Sequence, residues 1–131
     1  MAKINEVVKT ADFKSEKHVP VIEAPETVKA GDYFTVSATV GKEIEHPNTV
    51  EHHMAWIALH FIPASGKVSY EVGRCEFSAH GQSVAGPNLG PVYTGSAVSV
   101  NIKLNESGTL CATAYCNIHG LWASDKAITV Q

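Results

Sequence analysis

The 131-residue chain has no long apolar run, no C-x-x-C pair and no block of like charges. After Met1-Ala2-Lys3-Ile4-Asn5-Glu6 come polar and charged residues, so neither a signal peptide nor a membrane span is readable. The expectation is a cytoplasmic protein with no membrane association. A net charge of −3 with scattered lysines lacks the basic footprint that nucleic-acid binding requires. Three cysteines are an odd number, which argues against a disulfide framework and leaves at least one free thiol or ligand. Helical periodicity of useful length is also missing. What remains is 44% hydrophobic and 18% charged residues, enough for one core, so a single domain over residues 1–131 is expected.

The apolar residues mostly alternate with polar ones, the period of half-buried strands. Phe34, Val36, Ala38 and Val40 share one face after the Ala30-Gly31-Asp32 turn. A strand over about Met54 to Ile62 ends at Pro63-Ala64-Ser65-Gly66, and Val68, Tyr70 and Val72 then resume the alternation as a hairpin partner. Val98, Val100, Ile102 and Leu104 alternate up to the Asn105-Glu106-Ser107-Gly108 turn, and Thr109 to Tyr115 reads as their antiparallel partner. Short strands are added around Thr27, from Cys75 to Ala79 and from Ala127 to Val130, with an ordered crossing loop over Ala79 to Gly95. The sum is all-β: an immunoglobulin-like antiparallel β-sandwich of about seven strands.

Seven histidines are many for this length, and imidazole is the commonest protein ligand for transition metals. They gather with cysteine and charge in Glu16-Lys17-His18-Val19-Pro20, His46-Pro47-Asn48-Thr49-Val50-Glu51-His52-His53 and Cys116-Asn117-Ile118-His119-Gly120. Cys116 and His119 are close enough to share a metal if Gly120 turns the chain sharply, but alone they also fit a buried thiol beside a surface imidazole. His46 and His52 can fold back across Pro47-Asn48, or sit in a solvated loop. His53 should point away from His52 in an extended chain. The Glu-Lys-His run alone is a charged surface stretch.

Together the segments resemble the superoxide reductases, in particular the one-domain neelaredoxin type that shares its catalytic domain with the two-domain desulfoferrodoxins. Further matching stretches are Val40-Gly41-Lys42-Glu43-Ile44, Ala79-His80-Gly81, Gly86-Pro87-Asn88, Val92-Tyr93-Thr94 and Leu121-Trp122. The resemblance implies reduction of superoxide to hydrogen peroxide at one non-haem iron ion per chain, cycling between Fe2+ and Fe3+. By motif position its ligands are His18, His46, His52 and His119 in a plane, with Cys116 axial. Lys17 matches the family's lysine beside the first ligand, and Glu16 the glutamate that can take the sixth position once iron is ferric. Rubredoxin or a similar small iron protein is the implied electron donor, and a homotetramer the implied assembly. Glu45 stands where relatives often have proline.

Superoxide is an anion that must gain one electron and two protons, so its site needs a redox metal, an open position and local positive charge. Lys17 is the expected source of that charge, with Lys42 or Lys14 assisting. Trp56, Phe34, Phe61 and Tyr70 are expected to supply packing, Trp122 to shield the thiolate side, and His60 and His80 to be structural. Cys75 and Cys111 are expected as reduced thiols, Cys111 facing opposite Cys116. Rival readings are a superoxide dismutase at the same iron, a cupredoxin, which the placing of Met1 and Met54 disfavours, and a non-catalytic immunoglobulin-like module without metal.

Overall fold

The computed structural model covers residues 1–131 and contains two sheets facing one core. After a single turn of helix, α1 (Ile4–Val7), the strands are β1 (Val21–Glu23), β2 (Thr27–Val28), β3 (Phe34–Thr39), β4 (Met54–Pro63), β5 (Tyr70–Glu76), β6 (Ala97–Ile102), β7 (Gly108–Cys116) and β8 (Gly120–Val130). The order is β1-β3-β6 in one sheet and β2-β8-β7-β4-β5 in the other. All pairings are antiparallel except the short β2 and β8 contact. This is the expected all-β, immunoglobulin-like sandwich, with eight strands rather than about seven.

Alternation places Val36 and Ala38 of β3, Val98 and Ile102 of β6, and Leu110, Ala112, Ala114 and Cys116 of β7 in the core. Cys111 falls on the opposite face of β7 from Cys116, as their odd offset requires. Phe61 is buried and Phe34 packs at the core's margin, whereas Trp56 lies half-buried against Tyr115 with Arg74 above it. Tyr70 is exposed and supplies no core.

Four local expectations need correction. β6 and β7 do not form a hairpin: β6 pairs with β3, because β4 and β8 already occupy both edges of β7. Both strands face one interior from opposite sheets, so their matched alternation reflects a shared core rather than a shared ladder. The final strand starts at Gly120, not Ala127, since backbone pairing with β7 carries it through the polar Ser124-Asp125-Lys126 stretch. There is no separate strand from Cys75 to Ala79; β5 ends at Glu76. Strand β1 is held by pairing with β3, too short for any periodic signal. The Ala79 to Gly95 segment does cross from one sheet to the other, tied by a bridge between His80 and Tyr93.

Candidate metal centre

Three chain segments meet at one end of the sandwich. His18 precedes β1, where Val19 and Pro20 are buried and Ser124 donates to the Pro20 carbonyl at 2.6 Å, sewing the segment to β8. His46 lies in the β3–β4 connection. There Gly41 has φ +85°, and a Cβ on it would sit 2.8 Å from the His46 nitrogen, so glycine allows the close approach. His52 closes a turn in which its N–H donates to Thr49 Oγ1 at 3.0 Å and Thr49 N–H to its carbonyl at 2.9 Å. Cys116 and His119 ride the β7–β8 hairpin tip, where Cys116 pairs with Gly120 and Gly120 has φ +84°. Asn117 joins that tip to the histidine loop: its Oδ1 accepts from His53 N–H, and its Nδ2 donates to the Glu51 carbonyl, each at 2.9 Å.

The four imidazoles form a near-square ring. Successive centroids, His18 to His46, His46 to His52, His52 to His119 and His119 to His18, are 4.7, 4.7, 4.8 and 4.7 Å apart. Inward atoms of three of the rings and the thiol lie closer still: His18 Nε2 is 3.0 Å and His52 Nε2 3.2 Å from His119 Nδ1, with Cys116 Sγ 3.7 Å from the same nitrogen. Donor atoms of His18, His52, Cys116 and His119 all fall within 4.8 Å of one another. Two nitrogens each about 2.1 Å from one ion, at right angles, stand about 3.0 Å apart, so these gaps have the scale of a metal site.

His46 decides whether the set fits an ion. Its Nδ1 is 2.7 Å from the Pro47 carbonyl and donates to it, while its Nε2 is buried with no hydrogen-bond partner. A buried nitrogen without a partner is rare, and a bound ion satisfies it. Burial pushes the His46 pKa down to about 4, leaving its lone pair free at neutral pH. Burial likewise lowers the pKa of His18 and His52, and the positive charge of Lys17 acts on all three in the same direction. Imidazole and thiolate donors suit a transition metal, not a hard oxygen-seeking cation.

The remaining predicted residues fall into place unevenly. Lys17 is half-buried beside the ring. Glu16 does not face the ring's centre: its Oε1 accepts from His18 N–H at 3.0 Å and holds His18 Nδ1 at 2.6 Å, the edge away from Nε2. That hydrogen bond keeps the Glu16 carboxyl below its usual range. Lys42 is engaged with Glu23 in an ion pair. His53 points away and stacks on His80, centroids 3.5 Å apart and 7° from parallel. His80 is buried between the Asn48 side chain and the Phe77 carbonyl, and His60 bonds Thr113 at 2.8 Å. Trp122 stacks on the face of His18 at 4.9 Å and 12°, a contact the sequence did not foretell.

The desulfoferrodoxin family profile matches residues 10–125. The chain belongs to the desulfoferrodoxin family. A neelaredoxin of Megalodesulfovibrio gigas is 50% identical, covering 98% of this chain and 99% of its own. The superoxide reductase of Pyrococcus furiosus is 48% identical over 95% and 98%. Among solved structures, one from Thermotoga maritima is 57% identical with a TM-score of 0.97, covering 100% of this chain and 99% of that one.

Sequence reading overlooked two supports within this family site, the Pro47 carbonyl behind His46 and the Asn117 side chain, and placed Trp122 at the site without its contact to the His18 face. Asn117 lay inside a noted motif, but nothing in composition tells a bridging asparagine from a turn asparagine.

Proposed function

We propose that this chain reduces superoxide to hydrogen peroxide, with His18, His46, His52, His119 and Cys116 holding one iron ion. The observation that carries the reading is the square of imidazoles closed by a buried cysteine sulfur, with His46 Nε2 left for a ligand. Membership of the desulfoferrodoxin family and relatives named superoxide reductase support it. Iron in that ring supplies the single electron by changing oxidation state.

The chain supplies the rest. Superoxide takes up one electron and two protons, so its negative charge and its proton supply both need local control. Lys17 provides positive charge against an overall charge of −3, drawing the anion in and holding the donor of the first proton at its ammonium. Glu16 and the Pro47 carbonyl fix the orientation of His18 and His46 through their Nδ1 edges. Resemblance would give Glu16 a second role as a further ligand when iron is oxidised, for which its carboxylate would have to leave His18 Nδ1. Electrons come from a small redox protein such as rubredoxin, residues 1–131 act as one domain in a cytoplasmic homotetramer, and no helix is long and apolar enough to cross a membrane.

Metal analysis combined with anaerobic mixing of reduced protein and superoxide tests this reading. One iron per chain, oxidised on mixing, with peroxide formed and no oxygen released, is the expected result. Oxygen release without consumption of external electrons would make the protein a dismutase. Folding that ignores chelators, with no iron bound, would leave only a non-catalytic module.

A further inference from the structure

Trp122 touches both the site and a segment that lies outside it. One neighbour is His18, stacked at 4.9 Å and 12°; the other is Lys9, whose Nζ lies 5.6 Å from the indole centroid. Lys9 is not a chance neighbour. Its N–H donates to the Leu121 carbonyl at 3.0 Å and its carbonyl accepts from Ala123 N–H at 2.9 Å, so its backbone is clasped across Trp122 in a parallel bridge. Helix α1 before it buries no residue, and that bridge pins the segment to β8. Residues 1–9 precede the span matched by the family profile, which begins at residue 10.

His18 is thereby constrained on several sides: Glu16 on its Nδ1 edge, His46 and His119 on its flanks, and the indole over its face. Trp122 is 7% exposed, and Lys9 is exposed. The ammonium is a full charge, attracted to the indole's electron-rich face. The two separations put it no farther from the His18 ring than about one Debye length at 0.1 M salt, roughly 10 Å. Glu6, the acid that lines the same surface depression, accepts from Lys3 N–H at 2.9 Å.

We infer that the Lys9 ammonium, held over Trp122, raises the reduction potential of the iron that His18 holds. The inference rests on the iron site read above. A nearby cation would favour the less positive, ferrous state.

The test is the midpoint potential of the iron-loaded protein carrying Lys9→Arg, Lys9→Gln and Lys9→Glu, each measured at low and high salt. Lys9 enters the fold through its backbone, so all three variants keep the clasp. The expected result is an ordered series: Arg unchanged, Gln lowered, Glu lowered further, with the spread narrowing as salt rises. A merely structural role would move iron content or melting temperature without that order or that salt dependence. Equal potentials across the series in protein that binds one iron per chain would overturn this inference and leave the reductase reading intact. Failure of the unmodified protein to bind iron would sink both.

Discussion

The two halves of the imidazole square are built differently. His18 and His46 are 5% and 7% exposed, each with its Nδ1 held by a dedicated oxygen, whereas His52 is half-buried and His119 exposed. The buried half is part of the folded interior and the open half is presented by a loop and a hairpin tip. Their removal should therefore have different signatures even though both halves donate to the same ion. A ring built this way keeps its geometry on one side and its access on the other.

The strongest way to break the comparison is to delete one ring from each half. His46→Ala and His119→Ala should each weaken iron binding by more than about 100-fold, beyond the loss typical of outer-shell partners. Only His46→Ala should also destabilise the metal-free protein, by about 2 kcal/mol against about 0.5 kcal/mol or less for His119→Ala. Chelator competition and urea denaturation read the two effects, and equal destabilisation would erase the distinction.

Acid should act next, and through the buried half. His46 has a folded pKa of about 4, below the 6.5 of a free histidine, so on acidification the unfolded chain takes up protons first. Stability of the metal-free protein should thus rise with pH between about 4 and 6.5 and fall as pH drops through that window. His46→Gln should flatten the slope, and an unchanged slope in urea denaturation across that window would remove His46 as its source.

Glu16→Gln sharpens the comparison by loosening the buried half without deleting a ring. About tenfold weaker iron binding is expected, the low end for losing an orienting partner, and an unchanged affinity would remove Glu16 from that role. An unchanged ferric absorption spectrum would separately exclude its role as sixth ligand. Lys17→Ala should give the smallest change, a bimolecular reaction with superoxide about three- to tenfold slower at low salt and converging with the parent at high salt. Stopped-flow mixing measures it directly.

Where one physical signal dominated, the fold was readable from sequence. Phe34 to Thr39 alternates because one face meets the core and the other does not, and Met54 to Pro63 is bounded by a turn that nothing else overrides. Where tertiary pairing decided the outcome, periodicity misled. Val98 to Leu104 and Thr109 to Tyr115 look like hairpin partners because both line one core, and Gly120 to Lys126 looks like a loop because its ladder with β7 needs no apolar pattern. The ring residues stood out as His and Cys clusters, and family resemblance supplied their grouping. The Pro47 carbonyl stayed hidden because a backbone oxygen leaves no mark in sequence even beside its target, and the bonds of Asn117 and the stacking of Trp122 because their targets lie on chain segments distant in sequence.

The β7–β8 hairpin tip also bears on the order in which the centre assembles. Cys116 and His119 are brought together by a local turn, but His52 lies 67 positions from His119 and His18 lies 101. Contacts between distant positions form late in folding, because more chain must be ordered before they are made. A metal met during folding would find the thiol and one imidazole first, and the remaining rings would close around an ion already captured. In the finished protein the same tip carries the exposed His119, so an ion would meet the hairpin imidazole first by either route.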